Sequence, residues 1–165
     1  MSLERKLRSV SVIGSGDVPP SDFLYQVAFE VGRLIARKGC LLVCGGLFGI
    51  MEAACKGAKE EGGITLGILP NYEFFSNSYV DIKLPTGLGH ARNVLVAAAS
   101  PLVVAVGGSY GTLSELGIAL KLKRKVVGFK TWKVEGIENY EELEAFIGSL
   151  SRLLDSPFKG SGGFP

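Results

Sequence analysis

The segment Leu102-Val103-Val104-Ala105-Val106-Gly107-Gly108-Ser109-Tyr110-Gly111-Thr112-Leu113-Ser114-Glu115-Leu116-Gly117-Ile118-Ala119-Leu120-Lys121-Leu122 carries the reading of the whole chain. Residues 102–106 are apolar without a break and rich in valine, the pattern of a strand buried on both faces. Residues 107–111 form a glycine loop, and residues 112–122 predict a helix. The same succession recurs upstream. Residues 9–13 (SVSVI) end at Gly14-Ser15-Gly16, and residues 41–44 end at Gly45-Gly46.

Between these units the chain keeps the alternation. Phe23, Leu24, Val27, Ala28, Val31, Leu34 and Ile35 recur at three and four residues before Arg37-Lys38-Gly39, a basic last turn with a glycine stop. Further helices are predicted over 48–61, 92–99 and from 139 onward, where Asn139 and Glu142 have capping-box spacing. Strands are predicted at 64–69 and 125–129, with a short extra strand at 79–84. Alternating strands and helices with apolar strands predict an α/β fold: a doubly wound, mostly parallel sheet with helices on both faces, Rossmann-like, in one domain over 1–159 with a frayed tail at 160–165. Ligands of such sheets lie at the carboxyl ends of the strands. All three glycine clusters fall on that edge.

Composition narrows the function. The 165 residues carry 18 Lys+Arg and 16 Asp+Glu, a net charge of +2 with no basic cluster, so nucleic acid is not an expected partner. The longest apolar run, 94–106, is interrupted by Ser100 and Pro101 and is shorter than the ~20 residues of a membrane span. The N-terminus runs from charged residues into a strand without a signal-peptide pattern, which predicts a cytoplasmic protein. Cys40, Cys44 and Cys55 and the single His90 lack disulfide or metal spacing, so no metal is expected and the cysteines are read as small core residues. Glycine, at 23 residues, is about twice its usual ~7%.

The loop Gly107-Gly108-Ser109-Tyr110-Gly111-Thr112 reads as a phosphate cradle. Backbone amides at a helix N-terminus converge on an anion, and Thr112 adds a hydroxyl. A bare strand-to-helix turn would not require three glycines. The G-x-S-x-G match at Ser109 wants a later His, and His90 precedes it. A Walker A loop is absent, and Gly14-Ser15-Gly16 lacks the third glycine of a dinucleotide fingerprint. Gly14, Ser15, Gly45 and Gly46 are read as lining the same crevice. Arg92, behind Gly87-Leu88-Gly89, is placed to clamp a phosphate or carboxylate.

Three blocks, GGLFGIMEAACKGAKEEGGITLGILP (45–70), ARN (91–93) and VGGSYGTLSE (106–115), resemble the Rossmann-like family of Lonely Guy phosphoribohydrolases, long mislabelled lysine decarboxylases, and molybdenum cofactor carrier proteins. The similarity runs from about Val10 to Phe129, and Met51-Glu52-Ala53 with Val106 look closer to the carrier branch. In the hydrolases the third block reads PGGxGTxxE with an Arg-Lys pair upstream. Their reaction cleaves the N-glycosidic bond of a nucleoside 5′-monophosphate.

By that resemblance Gly107, Gly108, Gly111 and Thr112 would hold the phosphate, with Arg92 and Glu115 at the catalytic positions. The carboxylate would stabilise oxocarbenium character at C1′ or orient water. Against the hydrolase pattern, Val106 replaces Pro, Asn93 replaces Lys and Leu47 replaces Arg.

Two functions follow from the resemblance. One is a nucleotide-binding protein that hydrolyses a nucleoside 5′-monophosphate to base and ribose 5-phosphate; the other is a non-catalytic carrier of a phosphorylated ligand such as molybdenum cofactor. Neither demands a resident cofactor beyond a bound nucleotide or molybdopterin-type ligand. No lysine sits in a context for pyridoxal phosphate. The resemblance also implies a homodimer or higher homo-oligomer.

Overall fold

The computed structural model describes residues 8–155, so the expected tail at 160–165 lies outside the described residues. The elements are β1 Ser9–Gly14, α1 Phe23–Arg37, β2 Leu41–Cys44, α2 Ile50–Glu60, β3 Thr65–Leu69, β4 Ile82–Pro85, α3 Asn93–Ala98, β5 Leu102–Val106, α4 Tyr110–Lys121, β6 Lys125–Phe129, β7 Glu138–Tyr140 and α5 Leu143–Asp155. A 3₁₀ turn, Gly89–Arg92, leads into α3.

The seven strands form one sheet in the order β4-β3-β2-β1-β5-β6-β7, and every neighbouring pair is parallel. Alternation along the strands sorts side chains onto two layers. Val10, Val12, Leu42, Cys44, Val104 and Val106 pack under α1, α2 and α5. Ile13, Val43, Val103 and Ala105 pack under α3 and α4. Both faces are covered, which is why the strands read as continuous apolar runs.

The order reverses between β1 and β5. From β1 the chain winds outward through β2, β3 and β4, then returns to lay β5 on the other side, with Gly14 opposite Val106 at the carboxyl ends. The crevice of a doubly wound sheet opens at such a point. Loops 14–17 and 107–109 flank it.

Four local expectations shift. The helix expected from 48 begins at Ile50, and the one expected from 92 begins at Asn93 after the 3₁₀ turn. The expected strand at 79–84 is Ile82–Pro85, because Asn77 Oδ1 takes the Tyr79 amide and holds that segment in a turn. Asn139 does not cap the terminal helix. It lies in β7 and braces the preceding loop, accepting from the Thr131 amide and donating to the Thr131 carbonyl, and α5 starts only at Leu143.

Candidate functional site

The N-terminus of α4 starts at Tyr110 rather than Thr112, because Ser109 is its N-cap. Ser109 and Thr112 form a capping box: the Ser109 side chain accepts from the Thr112 amide, and the Ser109 amide donates to Thr112 Oγ1 at 3.3 Å. The Gly107 amide extends the sheet by donating to the Phe129 carbonyl at 2.9 Å. The amides of Gly108, Tyr110 and Gly111 meet no acceptor among the described residues. They are orphan donors of a helix start, with the positive end of the helix dipole behind them.

The loop keeps this shape through Gly108, whose φ of 147° is closed to most side chains and whose added Cβ would stand 2.8 Å from Thr112 Cγ2. Two residues, Ser109 and Tyr110, separate Gly108 from Gly111, where PGGxGTxxE has one. That spacing leaves Ser109 in extended backbone to cap the helix.

Arg92 is buried at the end of the 3₁₀ turn. Its Nε donates to the Ile68 carbonyl at 2.9 Å, one Nη to the Gly45 carbonyl at 3.4 Å, and the other to Asn93 Oδ1. Asn93 Nδ2 in turn donates to Ser114 Oγ at 3.4 Å, and Ser114 Oγ donates to the Gly111 carbonyl at 2.6 Å. A hydrogen-bonded chain therefore joins Arg92 to the loop. Sequence reading saw Asn93 as a missing positive charge. The amide in fact performs a task that a lysine cannot, because it accepts from Arg92 while donating to α4.

Glu115, one turn inside α4, is 7% exposed, and its carboxyl accepts no hydrogen bond from a described residue. Burial pushes its carboxyl up to about 8, against a partial pull downward from Arg92. At neutral pH it is mostly protonated. Burial likewise lowers Arg92, opposed by Glu115 and Cys44. Cys44 Sγ lies 3.5 Å from Cys55 Sγ and accepts from the Gly46 amide at 3.3 Å. The hydrogen bond with Cys55 holds the Cys44 thiol below its usual value and Cys55 well above.

The other expected residues lie on the same edge. The Gly14 and Ser15 loop abuts α2, where the Ile50 amide donates to the Ser15 carbonyl at 3.0 Å. The carbonyls of Gly45 and Gly46 are taken by Arg92 and by the Asn77 amide. A cleft of about 260 Å³ opens beside Arg92, lined by Leu47, Pro70, Asn71, Gly89 and His90. Beside the α4 N-terminus is also Trp132, which sequence reading did not single out; its indole N–H donates to the Ser109 carbonyl at 3.0 Å. No group of His, Cys, Asp and Glu among the described residues is arranged to hold a metal ion.

A seven-stranded parallel sheet with a glycine loop at its switch point defines a Rossmann-like α/β protein. Within that class the chain belongs to the SLOG cluster4 family, which it matches over residues 7–152. It is 44% identical over 143 residues to an uncharacterized protein of Archaeoglobus fulgidus, covering 86% of this chain and 93% of that one. The molybdenum cofactor binding protein of Rippkaea orientalis superposes with a TM-score of 0.81 at 31% identity, covering 91% of this chain and 99% of that chain. A probable cytokinin riboside 5′-monophosphate phosphoribohydrolase of Oryza sativa subsp. japonica is 32% identical over 143 residues, covering 80% of this chain. The chain spans 56% of that relative's length.

Proposed function

We propose that this protein binds a small phosphorylated ligand, a nucleotide or a phosphorylated pterin, at the 107–112 loop and holds it without turnover. The observation that carries this reading is the set of three unspent amides, of Gly108, Tyr110 and Gly111, at the start of α4. Such amides are a ready anion site. The likeness to a molybdenum cofactor binding protein over nearly the whole of both chains supports a pterin phosphate as the ligand.

Two features weigh against hydrolysis. The Arg92 guanidinium is committed to Ile68, Gly45 and Asn93, and Glu115 is mostly neutral at pH 7, so it offers little negative charge to an oxocarbenium centre. A neutral carboxyl is still a proton donor. Glu115 protonating a departing base is therefore the second reading, favoured by its burial close to Arg92 and by the likeness to phosphoribohydrolases. In either case the exposed apolar side chains Ile82, Leu84, Leu88, Val94 and Leu95 fit the contact of a homo-oligomer, which light scattering measures directly.

The test is to incubate the protein with a panel of nucleoside 5′-monophosphates, quantify free base by chromatography, and measure retention of the same ligands by equilibrium dialysis. Retention without base release is the expected result. Base release by the wild type that disappears in Glu115→Ala would establish the hydrolase instead, and the absence of both base release and retention of any member, a hydroxymethylpterin phosphate included in the dialysis, would remove both readings.

A further inference from the structure

Tyr110 is 82% exposed, the largest exposure among the large hydrophobic residues that are described. It occupies the first position of α4, where an acidic or small polar residue would better suit the helix. Its hydroxyl makes no hydrogen bond within the described residues. Burial does not account for an aromatic ring there. Yet the ring is not alone: the Trp132 indole lies 5.8 Å from it, centroid to centroid, at 31° between planes.

Trp132 is held from three directions. Its N–H is bonded to the Ser109 carbonyl, its ring packs at the edge of the α3/α4 core layer, and its backbone neighbour Thr131 is clamped by two hydrogen bonds to Asn139. The Lys130 amide adds a bond to the Tyr140 carbonyl. The short strand β7 thus serves to fix the segment that carries the indole. A braced tryptophan and an exposed tyrosine, adjoining three unspent amides, form a rigid aromatic surface next to an anion site.

We propose that Tyr110 and Trp132 are the stacking surface for the planar nitrogen heterocycle of the phosphorylated ligand. This rests on the phosphate reading of the 107–112 loop and adds which side chains the ring meets: Tyr110, and Trp132 bonded to the Ser109 carbonyl. Stacking tolerates any flat heterocycle, so purine and pterin share the chemistry, and the ligand panel distinguishes them.

Trp132 is the chain's one tryptophan and so reports on itself. The full chain is titrated with ribose 5-phosphate, GMP and a hydroxymethylpterin phosphate, following tryptophan emission and, separately, affinity by equilibrium dialysis. The expected result is that at least one ring-bearing ligand quenches Trp132 and binds tighter than ribose 5-phosphate, which leaves the emission unchanged. Whichever ring does so names the ligand class.

Tyr110→Ala is expected to reduce the ratio of ring-bearing to ring-free affinity roughly tenfold to a hundredfold, with Tyr110→Phe retaining it. Urea midpoints of both variants control for folding. Ribose 5-phosphate binding with no gain from any ring, or a ratio unchanged in Tyr110→Ala, overturns the stacking surface and leaves the phosphate loop standing. A ratio lost in His90→Ala but kept in Tyr110→Ala puts the ring in the cleft beside Arg92 and also overturns it. If no probe is retained on dialysis, the phosphate reading falls and the stacking surface with it.

Discussion

The guanidinium of Arg92 donates to the side-chain oxygen of its chain neighbour, Asn93. Both residues are buried, and the same amide donates onward to Ser114 on α4. A cation that burial disfavours is thereby held by a neutral acceptor, which also ties α3 to the start of α4.

Asn93→Lys, which restores the hydrolase-type Arg-Lys pair, is expected to destabilise the fold by about 2–4 kcal/mol, because it removes a buried acceptor and sets two cations side by side. Asn93→Asp keeps an acceptor for Arg92 and loses only the bond to Ser114. Its cost is expected to be smaller, about 1 kcal/mol. Urea denaturation of the two variants beside wild type checks the order, and equal losses would show that the Arg92 contact contributes nothing.

The raised carboxyl of Glu115 makes stability depend on pH in a defined direction. An ordinary glutamate titrates near 4.5, whereas burial holds Glu115 near 8. Between those values the unfolded chain releases a proton that the folded chain retains, so stability falls as pH rises from about 4.5 and the loss is complete above about 8. Glu115→Gln keeps the shape without the titration. Melting temperatures across this window are expected to decline for wild type and to decline less steeply for Glu115→Gln; parallel profiles would contradict the raised value.

What the sequence disclosed and what it hid divide along the range of the interactions. The strands at Ser9–Ile13 and Leu102–Val106 and helix α1 were legible because burial imprints a local pattern on consecutive residues. The glycine loop was legible for the same reason. Asn139 misled, because its capping-box spacing with Glu142 is real in one dimension, while its partner, Thr131, lies eight residues back on another loop. Trp132 carried no motif at all. Its meaning comes from Ser109, 23 residues away, and only the register of β5 beside β6 brings the two together. Gly32 carries no local signal beyond its place in a helix, yet a Cβ there would stand 1.9 Å from the Ala54 carbonyl oxygen, so it permits backbone contact between α1 and α2.

Two glycines near or within α4 are expected to respond oppositely to alanine. At Gly108 the φ of 147° and the collision with Thr112, which cannot move without releasing the Ser109 amide, predict a loss of about 1–3 kcal/mol and at least a tenfold loss of ribose 5-phosphate affinity. At Gly117 the added methyl meets open space inside the helix. There, alanine is expected to stabilise by about 0.5–1 kcal/mol through helix propensity, with affinity unchanged. Comparable losses at both sites would mean that the loop conformation is not the determinant.

The three cysteines are all buried, and their reactivity is expected to follow from that. Burial raises the Cys40 thiol, and the contact with Cys44 raises Cys55. Cys44 is the exception, held low by Cys55, the Gly46 amide and the charge of Arg92 against the opposing effect of burial, yet it is fully buried, its sulfur bonded to the Gly46 amide. Alkylation of the native protein by iodoacetamide is therefore expected to be limited by opening, with labelling rising only as subdenaturing urea is added. Peptide mapping of the labelled chain decides the matter. Rapid labelling of Cys44 without urea would show that the Gly45–Gly46 turn opens independently of the fold, whereas simultaneous labelling of all three would show that β2 and the loop above it come apart only with the whole sheet.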